Sequence, residues 1–318
     1  MRVAVLCGGR SHERTVSLRS GARVEQALLH LGHEPVLVDT EENVEQLLRD
    51  GGFDVAFIAL HGRGEEDGGI QALLGALGIP YTGSRSTPCA AAYDKARAKR
   101  LLVAANVPTP RFVTFSEGSI EEQGAMGALA EARETIGYPL VVKPARSGSS
   151  LGTRFVEDEE AMPRALLGAM SYDVHVVVET HVSGRELAVT LLGGGDSEVR
   201  VLPAVEIVPR NADWFDYESR YAHGETEFTC PPEGFPPAVL DRVAEVALAA
   251  YETLDCSGFG RVDMIIDDAG DPWVLEVATA PGLTETSLVP LACEAAGIAL
   301  PRLVELLLAD ALAQSVAD

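Results

Sequence analysis

The stretch Gly260-Arg-Val-Asp-Met-Ile-Ile-Asp-Asp-Ala-Gly-Asp-Pro-Trp-Val-Leu-Glu-Val-Ala278 decides how we interpret the fold. Apolar residues run through both of its ends, and the polar segment 267–271 between them is typical of a turn. Two strands joined by so short a turn form an antiparallel hairpin. The sequence therefore predicts a hairpin with strands over 260–267 and 272–278.

The register of this hairpin brings two acidic residues together. If the turn centres on 269–270, Asp263 lies opposite Glu276 and Arg261 lies opposite Ala278. All four share one face, because side chains alternate along a strand. Facing carboxylates repel each other and need a proton, a cation or a metal between them. Magnesium suits oxygen ligands beside phosphates, and a solvated acidic face explains the same spacing equally well.

The amino-terminal part of the chain alternates strand and helix patterns. Strands are predicted over 3–7, 35–38 and 53–60, and a helix after Gly9 ends near Gly32. Repeated strand–helix–strand units indicate a parallel sheet covered by helices.

The remaining chain reads as a mixture of strands and helices. A helical stretch over 89–105 is broken near Asp94, and Ser119 with Glu122 predicts a capping box for a helix that ends at Gly137. A polar, aromatic and proline-rich segment, 206–236, is predicted to be a long ordered loop. Further strands are predicted over 140–143, 153–156, 174–179 and 186–192, and a last helix over 300–313.

Composition excludes several classes of protein. The chain has 318 residues and a net charge of −23, which argues against nucleic acid or an acidic membrane as a partner. It has no apolar run long enough to span a bilayer and no signal-peptide pattern, so we expect a soluble cytoplasmic protein. Its 5 cysteines are widely spaced, which predicts neither a disulfide framework nor a zinc site.

A loop of small residues follows one of the few lysines. Lys95, Lys99 and Lys143 are the only lysines among 25 basic residues. Lys143 leads into segment 144–152, whose backbone N–H groups could wrap phosphates. Within it, 148–152 also matches the GxSxG elbow of serine hydrolases, with Ser150 as the nucleophile. That elbow requires a helix next, whereas 153–156 has a strand pattern, so a hydrolase with His181 or His223 ranks as a distant alternative.

Taken together, these segments resemble the D-alanine–D-alanine ligases of the ATP-grasp superfamily, in order and over nearly the whole chain. The segments that carry the resemblance are Arg2-Val-Ala-Val-Leu-Cys-Gly-Gly-Arg-Ser-His-Glu-Arg-Thr-Val-Ser17, Leu60-His-Gly-Arg-Gly-Glu-Glu-Asp-Gly68, Tyr93-Asp-Lys95, Val142-Lys-Pro144, Gly148-Ser-Ser-Leu-Gly152, Asp216-Tyr-Glu-Ser-Arg-Tyr221, Arg261-Val-Asp263, Glu276-Val-Ala-Thr-Ala-Pro-Gly282 and Thr284-Glu-Thr-Ser-Leu288.

The resemblance implies an α/β protein with the ATP-grasp fold in three domains. These are an amino-terminal parallel α/β (pre-ATP-grasp) domain over 1–93, a small central α+β domain over 94–178, and a carboxyl-terminal α+β catalytic domain over 179–318 with an omega loop at about 206–236. It also implies a cytoplasmic homodimer that uses ATP and D-alanine to make a peptidoglycan precursor.

The reaction implied is ATP-dependent formation of D-alanyl-D-alanine. ATP converts the carboxylate of the first D-alanine to an acyl phosphate, and the amine of the second D-alanine attacks it. Such phosphoryl transfer needs positioning and charge neutralisation more than covalent help from the protein. Magnesium or manganese is expected, as two ions of which one is weakly held.

The resemblance also assigns site residues. The nucleotide would meet Lys95, Lys143, Ser150, Glu179, Glu186 and Arg220; the metal would meet Asp263 and Glu276; the first D-alanine would meet Glu13, His61 and Ser149; the reacting carbonyl would meet Arg261 and the N–H of Gly282; and the second D-alanine would meet Ser287 and Leu288. Catalytic roles would fall to Glu13, Ser149, Tyr221, Arg261, Gly282 and Ser287. Tyr221 is what the dipeptide-forming branch carries.

Three positions depart from the family pattern. Ala278 stands in place of a metal-binding asparagine, Arg220 in place of a lysine, and Glu65 in place of a glycine. They keep two alternatives open: an ATP-grasp ligase for another amino or hydroxy acid, and a catalytically impaired nucleotide-binding relative.

Overall fold

The computed structural model describes residues 1–41, 43–195, 197–209 and 226–314. In chain order the elements are β1 Arg2–Cys7, α1 Arg14–His30, β2 Glu34–Asp39, α2 Val44–Asp50, β3 Val55–Ile58, α3 Gly69–Leu77, α4 Ser86–Tyr93, α5 Lys95–Ala104, β4 Phe112–Ser116, α6 Glu117–Thr135, β5 Leu140–Pro144, β6 Arg154–Val156, α7 Met162–Met170, β7 His175–Thr180, β8 Gly184–Gly194, β9 Ser197–Val201, β10 Val205–Pro209, β11 Thr226–Thr229, α8 Pro237–Thr253, β12 Phe259–Asp267, β13 Pro272–Ala278, α9 Leu288–Ala295 and α10 Leu300–Gln314.

The amino-terminal sheet is parallel, as predicted. Its strand order is β2–β1–β3. Strands β1 and β3 are buried along almost their whole length, because helices or other elements cover both faces of the sheet. Buried parallel strands of this kind have continuous apolar sequences rather than alternating ones.

The central sheet is antiparallel, with the order β4–β7–β5–β6. Its strands alternate, so Leu140 and Val142 of β5 pack against α6 and α7, whereas Val141 and Lys143 point to the other face. Glu179 of β7 pairs with Val141, which places its carboxylate on the same face as Lys143. That face forms one wall of a cavity.

The carboxyl-terminal sheet carries the hairpin. Its order is β11–β10–β8–β12–β13, and β9 pairs with β8. The pairs Asp263–Glu276 and Arg261–Ala278 are confirmed. Nearer the turn the register differs from the prediction: Met264 pairs with Val274, so a bulge lies between Asp263 and Met264.

One hydrophobic core joins the two ends of the chain. Val3, Val5 and Phe57 of the amino-terminal sheet pack in the same cluster as Leu303 and Leu307 of α10. The amino-terminal sheet is thus completed by the last helix. Within the described residues, none of the helices is long and apolar enough to cross a membrane.

Two predictions about local structure were wrong. Helix α6 begins three residues earlier than the predicted cap: Ser116 is the N-cap, and the box is closed by the side chain of Ser119, which accepts from the Ser116 N–H at 2.8 Å. Segment 206–236 is not one continuous loop, because 206–209 and 226–229 pair as antiparallel strands, whereas 230–236 forms neither helix nor strand. Residues 210–225 lie outside the described part of the chain.

Candidate active site

Two adjoining cavities lie beside the hairpin. The larger, of about 430 Å³, is lined by the central sheet and the hairpin. The smaller, of about 300 Å³, is lined by α1 and by the segments around His61 and Gly282. Lys95, Ser147 and Glu276 line both cavities. A molecule in one cavity can therefore meet a molecule in the other at this shared wall.

The larger cavity combines apolar walls with a charged end. Its apolar lining includes Val141, Leu151, Phe155, Ile265 and Leu275. Its polar lining includes Lys95, Lys143, Ser150, Glu179, Glu186, Asp263 and Glu276. Apolar walls with a few converging polar groups are typical of a small-molecule site, and these walls suit a flat ring with an anionic tail.

A buried carboxylate holds two of the three lysines. Glu179 Oε1 lies 2.6 Å from Lys143 Nζ, and Glu179 Oε2 lies 2.8 Å from Lys99 Nζ. Burial alone would raise the pKa of Glu179, but the two ammonium groups outweigh it and keep this pKa below its usual value. Burial lowers the pKa of Lys99 to about 8. Lys143 lines the cavity, whereas Lys99 lies behind it and donates to Thr109 Oγ1 at 2.6 Å.

Both hairpin carboxylates are matched by cations. Arg261 donates to both oxygens of Asp263, at 2.6 and 2.7 Å, and Lys95 Nζ lies 3.0 Å from Glu276 Oε2. Burial works against the charge on Arg261, yet Asp263 prevails and raises the pKa of the guanidinium further. Lys95 and Arg261 thus supply one cation for each carboxylate, which is one of the three options left open by the sequence.

The donor chemistry of this pair suits a hard divalent cation. Asp263 and Glu276 offer carboxylate oxygens on one face of the hairpin and both line the larger cavity. Among the described residues no group of three or more histidine, cysteine or acidic residues forms a complete metal cage. A magnesium ion held by two carboxylates, phosphate oxygens and water needs no such cage.

The small-residue loop lies between the cavities and is anchored from both sides. Lys95 donates to the carbonyl of Ser147 at 2.6 Å, and Ser149 donates to the carboxylate of Glu13. A Cβ on Gly148 would lie 2.7 Å from Glu13 Oε2, so a larger residue would require this carboxylate to shift. Ser150, at φ 56°, is followed by β6 rather than a helix, which is not the context of a hydrolase elbow.

His61 links α1 to the segment after the hairpin. Its Nδ1 donates to the Ala280 carbonyl at 2.9 Å, and its Nε2 accepts from the Ser20 hydroxyl at 3.1 Å. Ser20 Oγ in turn accepts the N–H of Leu283 at 3.1 Å. Burial lowers the pKa of His61, so the ring is neutral and positions its neighbours without supplying charge.

Comparison with known proteins identifies the family. A family model described as "D-ala D-ala ligase C-terminus" matches residues 101–309. The chain belongs to the D-alanine–D-alanine ligase family.

Relatives in this family match over almost their full length. The chain is 40% identical to a D-alanine–D-alanine ligase of Moorella thermoacetica over 96% of this chain and 97% of the relative. It is 43% identical to one from Desulforudis audaxviator over 96% of each.

Solved structures similar to this chain are also ligases of this family. The D-alanine–D-alanine ligase of Bacillus anthracis is 32% identical with a TM-score of 0.86, covering 100% of this chain and 99% of that one. A structure of the B. anthracis ligase complexed with ATP gives a TM-score of 0.83 at 30% identity over the same shares. The VanG D-Ala:D-Ser ligase of Enterococcus faecalis, at 26% identity, also gives 0.83 over 98% and 99%.

The structure places the remaining residues expected of a D-alanine–D-alanine ligase around the smaller cavity. Those that line it are Glu13, His61, Ser149, Arg261, Gly282, Ser287 and Leu288. Ser287 immediately precedes α9, and its hydroxyl oxygen accepts the N–H of Thr284 at 3.0 Å. Ala278 also lines this cavity. Arg220 and Tyr221, expected from the same family pattern, lie outside the described residues.

Glu65, one of the expected departures from the family pattern, does not line the smaller cavity. Its Oε1 accepts the N–H of Arg10 at 2.7 Å, and its Oε2 is buried without a hydrogen bond in the described part of the chain. Burial raises the pKa of Glu65 to about 7. The extra carboxylate therefore contacts the turn after β1 and does not line the cavity.

Sequence reasoning missed several residues of the site, among them three with ionisable side chains. Tyr93, Glu66 and Arg19 line the smaller cavity together with the expected residues. Tyr93 and Glu66 lie within the motifs quoted for Lys95 and His61. Their closeness in sequence to these two residues could have indicated that they belong to the site. Arg19 lies on α1, six residues after Glu13, which precedes that helix, and surface helices commonly carry such charged residues.

Proposed function

We propose that this protein is an ATP-dependent D-alanine–D-alanine ligase, which forms D-alanyl-D-alanine through an acyl phosphate. The observation that carries this proposal is the wall of Lys95, Ser147 and Glu276 shared by the two cavities. A nucleotide in the larger cavity would present its phosphates exactly where an amino acid in the smaller cavity presents its carboxylate. The family relationship supports the same reaction.

ATP is proposed to occupy the larger cavity. The apolar walls around Phe155 and Leu275 would hold the adenine ring, and the Glu179 and Glu186 side chains lie on the same lining. Lys143 and Lys95 would neutralise the phosphates, and the backbone of 147–152 would wrap them. Glu179 would act by holding Lys143 as well as by meeting the nucleoside, since its 2.6 Å contact with that lysine is already made.

Asp263 and Glu276 would hold magnesium, or manganese, between the hairpin and the phosphates. The bound ion supplies neutralisation of the charge that spreads over the transferred phosphoryl group. Ala278 has no ligand atom, so we propose two ions of which one is weakly held. Lys95 would move its charge from Glu276 to the phosphates when the carboxylate takes up the ion.

The first D-alanine is proposed to bind in the smaller cavity with its ammonium at Glu13. Ser149 orients that carboxylate by donating a hydrogen bond to it. His61, being neutral and fully engaged, would fix the position of the 280–283 segment and with it the N–H of Gly282. Arg261 and that N–H would stabilise the negative charge that develops on the carbonyl oxygen during attack.

The second D-alanine would enter beside Ser287 and Leu288. Its amine, after losing a proton, attacks the acyl phosphate carbon; the C–N bond forms and phosphate leaves with the bonding pair. Because the chain is similar to the VanG D-Ala:D-Ser ligase, we propose that the second subsite selects between D-alanine and other acceptor substrates. A serine or hydroxy-acid acceptor is therefore the second candidate.

We further propose three domains, 1–93, 94–178 and 179–318, with ATP between the last two, and a homodimer located in the cytoplasm. Support for that location comes from the use of ATP and from all five cysteines being free.

The decisive experiment measures ADP release with magnesium and ATP, with and without D-alanine. ADP formation that requires D-alanine and yields D-alanyl-D-alanine supports the proposal. D-Serine and D-lactate, offered with D-alanine, test the other acceptors. Heat protection by ATP without any ADP would instead identify a nucleotide-binding relative that has lost catalysis.

A further inference from the structure

Tyr93 lines the smaller cavity and carries a buried hydroxyl. The residue ends α4 directly before Asp94 and Lys95, and its side chain is 9% exposed. It lines the cavity together with Glu13 and Glu66. Its hydroxyl is buried and makes no hydrogen bond in the described part of the chain. Buried polar groups in native proteins almost always have a partner, so this hydroxyl requires an explanation.

The surroundings of Tyr93 favour a positively charged partner. Burial raises the pKa of the phenol, and the carboxylates of Glu66 and Glu13 raise it further, so the hydroxyl keeps its proton. The Glu13 carboxylate gives this end of the cavity a negative potential, whereas burial raises the pKa of Glu66 well above its usual value and favours its neutral form. An ammonium group has three N–H donors and needs three acceptors, and one carboxylate rarely satisfies all of them.

We propose that the Tyr93 oxygen accepts a hydrogen bond from the ammonium group of the first amino acid, beside Glu13. The proposal rests on the proposed function. It makes Tyr93 a substrate-binding residue that helps this subsite select an amino acid over a hydroxy acid. Tyr93 adjoins Lys95, which lines the shared wall, so the same short segment would contact both the ammonium and the phosphates.

A structural role would explain the same hydroxyl differently. A buried water could satisfy it in the protein without substrate, and the group would then contribute to stability and not to binding. Tyr93→Phe separates the two roles, because it removes only the hydroxyl and keeps the ring. Tyr138→Phe is the matched control: its hydroxyl is also buried and has no hydrogen bond to the described residues, and Tyr138 lines neither cavity.

The test compares Tyr93→Phe, Tyr138→Phe and the unsubstituted protein in steady-state kinetics and in calorimetric binding of D-alanine with magnesium and a non-hydrolysable ATP analogue. Tyr93→Phe is expected to raise the KM for the first D-alanine, and the Kd for D-alanine, about tenfold. Its KM for ATP and its Tm without substrate stay unchanged. Tyr138→Phe is expected to change none of these.

Three results would overturn the inference. An unchanged D-alanine Kd in Tyr93→Phe removes the proposed contact. A lower Tm in the absence of substrate, with unchanged Kd, assigns the hydroxyl a structural role. If the unsubstituted protein does not bind D-alanine measurably, D-alanine is not the ligand of this cavity. Absent turnover with intact D-alanine binding would count against the proposed function alone, and the Kd ratio would still decide the role of Tyr93.

Discussion

The ammonium group of Lys95 lies 3.0 Å from the carboxylate of Glu276, at the wall that the two cavities share. We propose that both residues exchange partners during the reaction. Lys95 then contacts a phosphate, and Glu276 then binds magnesium. The ion pair therefore keeps both charges compensated until nucleotide and metal arrive together.

Glu276→Gln tests this arrangement. The substitution removes a proposed metal-binding charge while preserving size, so turnover is expected to fall about 100-fold or more. ATP should still protect the protein against heat, because the lysines remain. ADP release over a magnesium titration measures the first effect and a thermal shift measures the second. Glu305→Gln, at an exposed ion pair, serves as the control; equal losses in both variants would contradict the assignment.

Ala278→Asn tests the weakly held ion. Ala278 pairs with Arg261 and lines the smaller cavity, so an amide there would project toward the reacting groups. We expect a lower magnesium concentration at half-maximal rate, by about tenfold. Ala278→Val adds similar bulk without a ligand atom and should not lower it. If the magnesium dependence of Ala278→Asn is unchanged, the idea of a missing ligand fails.

Lys143 and Lys99 provide a matched pair, because both contact Glu179 and only Lys143 lines the larger cavity. Replacing either with methionine leaves Glu179 with one partner and should destabilise the protein by about 3 kcal/mol. Lys143→Met should also raise the KM for ATP more than tenfold. Urea denaturation and steady-state kinetics separate the effects. A large rise in this KM for Lys99→Met would show that the nucleotide reaches further than proposed.

Glu65 should make stability depend on pH. Its pKa is raised from 4.5 to about 7 by burial, so between these values the folded protein holds a proton that the unfolded chain has released. Stability from this group is therefore present below pH 4.5, falls as pH rises through about 7, and then levels off.

Glu65→Gln keeps an acceptor for the Arg10 N–H and removes the titration. We expect the variant to be more stable than the unsubstituted protein at pH 8, on the order of 1 kcal/mol, with no gain at pH 4.5. Thermal unfolding across this range gives the difference. Glu252→Gln, on the exposed side of α8, should show no such trend. A constant difference at all pH values would count against a buried, titrating carboxylate.

The hairpin shows how far sequence reasoning reaches. Apolar patterning and a turn signal were enough to pair Asp263 with Glu276. The turn itself is centred half a residue earlier than predicted, and the bulge after Asp263 restores the register. The two deviations cancel at the site. The sequence pattern does not predict this bulge, because the bulge depends on how the strand packs and pairs with neighbouring strands.

Other parts of the site could not be predicted, for a different reason. The partners of Glu179, and the chain from His61 through Ser20 to Leu283, join residues far apart in sequence. Periodic patterns in a sequence predict secondary structure and the buried face of each element. They do not predict which polar groups, distant in sequence, come into contact. The capping of α6 by Ser116 could not be predicted for a simpler reason: Ser119 stands where a capping box usually has glutamate or glutamine.

The core shared by Val3, Phe57 and Leu307 has a consequence for how the protein is made. A ribosome releases β1 and β3 long before it synthesises α10, the helix that covers them. Chains generally fold domain by domain as they emerge, yet one apolar face of this sheet is covered only in part, by α1, until α10 has been synthesised. Removing α10 is therefore expected to expose apolar residues of β1 and β3 and to make the polypeptide prone to aggregate.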